Sequence, residues 1–495
     1  MLRQHRSGVA NDAVGRIGAR EWTIAAVALL ALAFITRFAT FGHPDLHVDE
    51  TFYFASGVEV AKGAIPFVDV WDRKPPGHFL LFAAIALLSN DYLAYQIAAM
   101  LFACATALAV YALARTLVAH WQALAGGAIY LLSLCLFNGQ GGQSPVFYNL
   151  FMALAGAMLL AALPRFDGRG GGILVAGAML LAGVALTIKT TALFEALYFG
   201  LFAAAFQIRS AGLGRATVLR VARWAALGAL PTAAFALWYA LYGYWDEYWT
   251  AMVLSNLRKP VEDNGGLQRL WVLCLMALPL LAACGVALPK VREPYRLFFA
   301  GWVLAALVGF FSVPAFYLHY ALPLLVPLCA LAPASLAWPR TGALLLGSAA
   351  VMPVLFYSFF DFADTREAKA AMARLEDAVE RGRDGGPLLV YDGPPLLYTL
   401  TGTRFPTPLA FPNHLHQASE RDVSHIATLP EVERLLALRP SVIVDRTTAV
   451  TNQETAELVR AYEREHCTPL ASEPMMKGWN IEVLVYGHCR DRAPE

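Results

Sequence analysis

The stretch that decides the fold is residues 43–79, HPDLHVDETFYFASGVEVAKGAIPFVDVWDRKPPGHF. It concentrates Asp45, Asp49, Glu50, Asp69, Asp72, Arg73 and Lys74 between two strongly apolar segments. Carboxylates held against lipid are costly unless they serve a pathway or a site. Asp49-Glu50 opens an amphipathic stretch, and Lys74-Pro75-Pro76 opens a short apolar run over 79–88. A bilayer core of about 30 Å needs about 20 apolar residues per helix, so that run reads as an interfacial or re-entrant helix. Plain local roles are available too: Asp49 as a helix N-cap and Lys74 snorkelling to headgroups.

Working outward, the flanks read as membrane. The 495 residues are 58% hydrophobic and 15% charged, with a mean hydropathy of +0.51, whereas soluble domains average about 45–50% apolar and about 25% charged. This composition excludes disorder, and a net charge of +1 gives no case for a nucleic-acid partner. Membrane helices are expected near 22–41, 92–114, 122–138, 148–163, 172–188, 191–207, 222–242, 268–288, 295–313, 319–336 and 342–360, about eleven in all.

Loop charges orient this array. With the N-terminus inside, the inner face holds Arg3, Arg6, Arg16, Arg20, Arg115, Arg165, Arg169, Arg209, Arg215, Arg220, Arg223, Lys290, Arg292, Arg296 and Arg340. The outer face holds only Lys62, Arg73, Lys74, Lys189, Arg258 and Lys259. Were 79–88 to cross, Arg115 and every later inner loop would flip outward and the asymmetry would collapse. The first outer loop therefore spans 42–91, and the C-terminal part also lies outside. The first apolar segment reads as a signal anchor, since no small-residue cleavage site follows it and Arg37 sits within it. The absence of any Asn-x-Ser/Thr sequon accords with a bacterial inner membrane.

From 361 to 495 the chain turns polar. Strands are expected at 387–391, 441–444 and 481–486, and amphipathic helices at 367–381 and 454–465, which makes a small α/β domain. Cys104, Cys135, Cys274, Cys284 and Cys329 fall in membrane helices, where a thiol is a small apolar residue. Cys467 and Cys489 flank the last strand on the oxidising side and are expected to form a disulfide.

An acid pair after the first membrane helix, a Tyr three residues on, Gly-x-x-Pro and then Asp-x-Lys-Pro-Pro resembles the GT-C glycosyltransferases. The nearest branch is that of the protein O-mannosyltransferases and the lipid A aminoarabinose transferase (family 39-type). The matching residues are Asp49, Glu50, Tyr53, Gly63, Pro66, Asp69, Asp72, Lys74, Pro75 and Pro76. Looser agreement continues through Lys189 and His319-Tyr320. The resemblance implies a transmembrane catalytic domain over 22–360, preceded by a cytoplasmic tail (1–21) and followed by a periplasmic domain (361–495). It also implies a sugar donor carried on a polyprenyl phosphate and an acceptor that is a glycan, lipid A or protein. Asp49 would take the proton of the acceptor hydroxyl, with Glu50 orienting the acceptor or Asp49 itself. Lys74, with Arg73, Lys189 and His319 behind it, would hold the leaving phosphate. Tyr53, Asp72 and Tyr320 would line the substrate site. One base and no covalent intermediate imply inversion at the anomeric carbon.

Relatives usually place a second acid in the outer loop between the third and fourth helices, where it helps hold a divalent metal. Here the loop reads NGQGGQSPVFYNL, with Gln143, Ser144, Pro145 and Asn149 and no carboxylate. A hard cation such as Mg²⁺ or Mn²⁺ wants anionic oxygens, so only Asp49 remains as a ligand, and Gln143 or Asn149 reads instead as a contact to sugar hydroxyls. His43 and His47, with Asp45 and Asp49, have zinc spacing only on a helix, which Pro44 opposes. Lys189 and His319-Tyr320 also have plain readings as a snorkelling anchor and an aromatic belt. So does the aromatic loop over 243–266, YWDEYW followed by SNLRKPVEDN. The rival to a transferase is a transporter or flippase, which would show internal repeats with polar breaks near mid-membrane.

Overall fold

The computed structural model describes residues 17–166, 168–260, 265–447, 452–474 and 481–489. Arg3, Arg6 and Arg16 of the inner tail, and 261–264 of the aromatic loop, lie outside the described residues. In chain order the larger helices are α1 (Ala19–Ile35), α2 (Val48–Ala61), α3 (Pro76–Leu88), α4 (Leu93–Ala114), α5 (His120–Leu136), α6 (Ser144–Ala162), α7 (Arg169–Leu186), α8 (Leu193–Ala211) and α9 (Arg215–Leu241). They continue as α10 (Gly266–Ala287), α11 (Tyr295–Phe311), α12 (Leu322–Leu331), α13 (Pro339–Phe356) and α14 (Phe362–Gly382).

Every expected membrane segment is a helix. Among the described residues, seven helical stretches are long and apolar enough to cross a membrane: those containing α4, α6, α8, α9, α10, α12 and α13. The helices α1, α5, α7 and α11 have 17 or 18 residues and pack into the same bundle. Side chains such as Leu88 and Leu241 stand 87% and 74% exposed, which water would penalise and lipid tails accept. Small residues let backbones close up inside the bundle: a Cβ on Gly183 of α7 would meet the Gly228 carbonyl oxygen of α9 at 2.3 Å.

The first outer loop is ordered. α2 and α3 pack as a hairpin so close that a Cβ on Gly57 would meet the Phe82 backbone at 2.6 Å. Pro76 starts α3 at a position where no intrahelical N–H is needed. The strap between the helices turns where the Ile65 N–H donates to Asp69 Oδ2 at 2.7 Å, which makes Asp69 a turn-former. The expected capping role of Asp49 falls to His47: it is the N-cap of α2, its Nδ1 accepting the Asp49 N–H at 3.4 Å.

The outer domain follows α14 with strands β1 (Leu388–Val390), β2 (Val442–Arg446), β3 (Thr468–Pro474) and β4 (Glu482–Gly487), in the sheet order β1-β2-β4-β3. β1 and β2 are parallel, with Leu388 opposite Val442. β4 runs antiparallel to both β2 and β3. The edge strand β3 was not anticipated, because TPLASEP lacks strand alternation and carries two prolines, which an edge tolerates. α14 packs against β3 and β4, while helices α15 (Thr428–Ala437) and α16 (Gln453–His466) pack on each other and Arg460 of α16 reaches Asp445 of β2 at 3.5 Å. Cys467 and Cys489 are joined in a disulfide that ties the start of β3 to the turn after β4.

This domain sits on the first outer loop. The Trp71 N–H donates to the Pro408 carbonyl at 2.9 Å, and the Phe52 ring packs 4.9 Å from that of Phe411. The Thr365 hydroxyl donates to the Ala39 carbonyl at 2.7 Å. The strap is thus held between membrane helices below and the α/β domain above.

Candidate active site

Because His47 caps α2, the Asp49 side chain is left free. It is about one quarter exposed, 3.8 Å from His47 Nδ1. The His47 ring meets His319 edge-on at 5.4 Å, and His319 meets Tyr320 at 4.6 Å. The first outer loop and the outer end of α12 therefore converge on Asp49, although they lie far apart in sequence.

Beside them opens a cavity of about 420 Å³, lined among others by Arg73, Lys74, Lys189, Lys259, Tyr317 and Tyr320. Buried Asp72 holds Lys74 at 3.7 Å. Lys74 Nζ lies 5.0 Å from the centre of the Tyr53 ring, and Lys189 Nζ lies 5.7 Å from that of Tyr320, both within cation–π range. Burial raises the Asp72 pKa, but Lys74, His414 and Arg73 outweigh it and hold the carboxyl below its usual range. Lys189 is pushed down to about 7 by burial and by Lys74, against the pull of Asp49 and Asp72. This mouth is a fixed cation cluster in a dry setting, suited to an anion.

Glu50 points the other way. It is buried against the outer loop over 139–143, so tightly that a Cβ on Gly141 would meet its Oε2 at 2.0 Å. Burial drives its pKa up to about 8, with the Asp49 charge adding to the effect while Gly142 and Gln143 oppose it. At neutral pH Glu50 therefore keeps its proton, and Asp49 is the acid of the pair that reaches solvent. The loop that lacks a second acid serves instead as a cradle for Glu50.

Several expected contacts are taken up elsewhere. Asn149 is buried, donating to the Leu322 carbonyl at 3.0 Å and to Tyr130 at 3.3 Å, so it fastens α6 to α12. Gln143 is buried beside Glu50. Arg73 lines the cavity yet donates to Glu420 Oε1 at 2.6 Å, as Lys259 does at 2.5 Å. Glu420, from the outer domain, also faces His414 at 3.4 Å. These cations pull its pKa down against the opposing effect of burial. Arg258 donates to the Ser424 carbonyl at 3.3 Å, so the aromatic loop braces the outer domain. The Trp245 and Trp249 rings stack on each other and stay exposed.

Sequence reading missed Glu420, Gln417 and Ser419, which come from the outer domain, and Tyr148, Thr191 and Glu195, which line the cavity lower down. A carboxylate within an apolar segment was the available signal for Glu195. The suggested zinc set disperses: His43 pairs with Asp364 at 3.5 Å, while His47 faces His319. Among the described residues no group of three or more His, Cys, Asp or Glu is set to hold a metal ion. One carboxylate facing lysines is a poor donor set for a hard divalent cation.

No protein-family model matches the sequence, and no curated protein matches it. Among solved structures, the chain is similar to ArnT from Cupriavidus metallidurans bound to undecaprenyl phosphate, with a TM-score of 0.63 at 13% identity, over 97% of this chain and 100% of that one. The apo state of that protein matches with a TM-score of 0.63 at 14% identity, over 96% and 99% of the two chains. The Archaeoglobus fulgidus oligosaccharyltransferase tethered with an acceptor peptide matches with a TM-score of 0.51 at 11% identity, over 87% and 69%. The architecture is the GT-C fold, a multi-pass helical membrane protein with a small C-terminal α/β domain. At this level of identity the likeness speaks for the fold, and the activity rests on the site.

Proposed function

We propose that the chain is an inverting glycosyltransferase moving a sugar from a polyprenyl phosphate to a lipid, glycan or protein acceptor at the periplasmic face of a bacterial inner membrane. The observation that carries this reading is the placement of Asp49 beside a cavity whose mouth is lined by Lys74 and Lys189. One structural neighbour holds undecaprenyl phosphate, and the cation cluster fits that class of anion. Asp49 takes the proton from the acceptor hydroxyl, whose oxygen attacks the anomeric carbon. The anomeric C–O bond breaks, and the polyprenyl phosphate leaves with its new charge against Lys74 and Lys189. Glu50, protonated and fixed by the 139–143 loop, sets the start of α2 and hence Asp49. The lysines supply the charge stabilisation that a metal gives elsewhere, so transfer is proposed to need no divalent ion. A transporter would collect its polar groups near mid-membrane, whereas these lysines sit at the outer helix ends.

The test is the anomeric configuration of the product, read by NMR from a donor of defined configuration. Inversion is expected. Retention would remove the single-displacement chemistry assigned to Asp49.

A further inference from the structure

The cavity does not end at the lysines. Lys189 caps a short helical turn, Thr190–Ala192, that runs into α8, and Glu195 follows in the first turn of α8. Six residues of helical rise place Glu195 roughly 9 Å from the lysine along the chain, within a helical stretch long and apolar enough to cross a membrane. It is 3% exposed and still lines the cavity, with Tyr148 of α6 and Thr191 beside it and Ala306 and Gly309 of α11 opposite.

The hydrogen bonding of Glu195 points to a ligand at this floor. Glu195 Oε1 accepts the Trp302 indole N–H at 2.6 Å, and Glu195 makes no other hydrogen bond among the described residues, which leaves Oε2 to the cavity. Tyr148 is wholly buried in the same floor, its hydroxyl beside that of Thr191. A neutral acceptor would satisfy Trp302 equally well. A carboxylate among membrane helices is costly and marks a site by default, and an isoprenoid chain offers it nothing to bind.

We infer that Glu195 and Tyr148 form the donor-sugar subsite, accepting a hydroxyl on the edge of the ring remote from the anomeric carbon, and so select which polyprenyl-phosphate sugar is used. This rests on the glycosyltransferase reading above and extends it to donor specificity. With the phosphate at the lysines, a sugar ring spans the depth to Glu195. The prenyl chain then leaves sideways into lipid. Glu195 acts here as a specificity residue, because it touches the ring and not the reacting bond.

The test uses the full chain in lipid nanodiscs, with polyprenyl-phosphate hexoses, their singly deoxygenated counterparts and sugar-free polyprenyl phosphate. The wild type is expected to disfavour one deoxy donor by about 10–100-fold in kcat/KM, the cost of a lost hydrogen bond to a charged group. Glu195→Ala and Tyr148→Phe should reduce that ratio to within about threefold, acting through KM. Glu195→Gln keeps an acceptor for Trp302 and serves if the alanine variant does not fold. Sugar-free lipid should bind all variants alike by native mass spectrometry. Equal losses on every donor, or equal weakening of sugar-free lipid, would make Glu195 structural and overturn the inference. If the wild type transfers from no donor, the glycosyltransferase reading fails. The binding comparison then decides alone: wild-type preference for sugar-bearing lipid that Glu195→Gln loses supports the subsite, and no such preference removes it.

Discussion

Asp49 and Glu50 are neighbours with opposite surroundings, and their chemistry follows from that. Asp49 faces water and His47, while Glu50 is shut against the 139–143 loop with its pKa raised to about 8. Since Glu50 is already neutral at pH 7, Glu50→Gln copies its working form. Its transfer rate should fall by less than about tenfold, measured with donor at saturation. Lys189 allows a sharper test. Its pKa of about 7 makes it charged below neutrality and neutral above. Binding an anion favours the charged form, so affinity for polyprenyl phosphate should decline above pH 7, approaching tenfold per pH unit. Lys189→Arg keeps its charge throughout and should flatten the profile. A sloping profile in that variant would assign the dependence to another group.

The elements that build the site were unequally legible. Apolar length located the helices of the bundle, since a bilayer demands it, and the short run after Lys74-Pro75-Pro76 forms the helix α3, packed against α2. The acids and lysines over 49–74 stood out because lipid-adjacent charge is costly. The wall supplied by the outer domain was hidden: Arg73 and its partner Glu420 are 347 residues apart, and no local pattern marks such a pair. Asn149 misled for a related reason, as a polar side chain near a helix start can equally be a tertiary fastener. Glu420 is the latch between the halves. Its carboxyl is held below the usual range, so its contribution is present above the unfolded value of about 4.3 and is lost as pH falls below it. Hydrogen-exchange protection over 405–425, corrected for the intrinsic rate at each pH, should begin to fall near pH 4 and fall further as the pH drops toward the depressed folded value. Glu420→Gln should show the lowered protection already at pH 7, and unchanged exchange in that variant would dismiss the latch.

At the scale of the molecule, the outer α/β domain closes over the strap, and the site forms where it meets the membrane bundle. The Cys467–Cys489 link, 22 residues apart, holds that domain together. Replacing both cysteines by Ser should lower its stability by about 3 kcal/mol through loop entropy, read from denaturant unfolding of the purified protein. An unchanged midpoint would make the link dispensable. The central claim is that this bundle and its cap transfer a sugar using Asp49 as base without a metal. The most direct measurement is transfer from a panel of radiolabelled polyprenyl-phosphate sugars in membranes carrying wild type or Asp49→Asn at matched expression, with and without EDTA. The account predicts transfer from at least one donor by wild type, undiminished by EDTA, and a loss of about 10²–10⁴-fold in the variant. Equal transfer by the two proteins, or none from any donor, would contradict it.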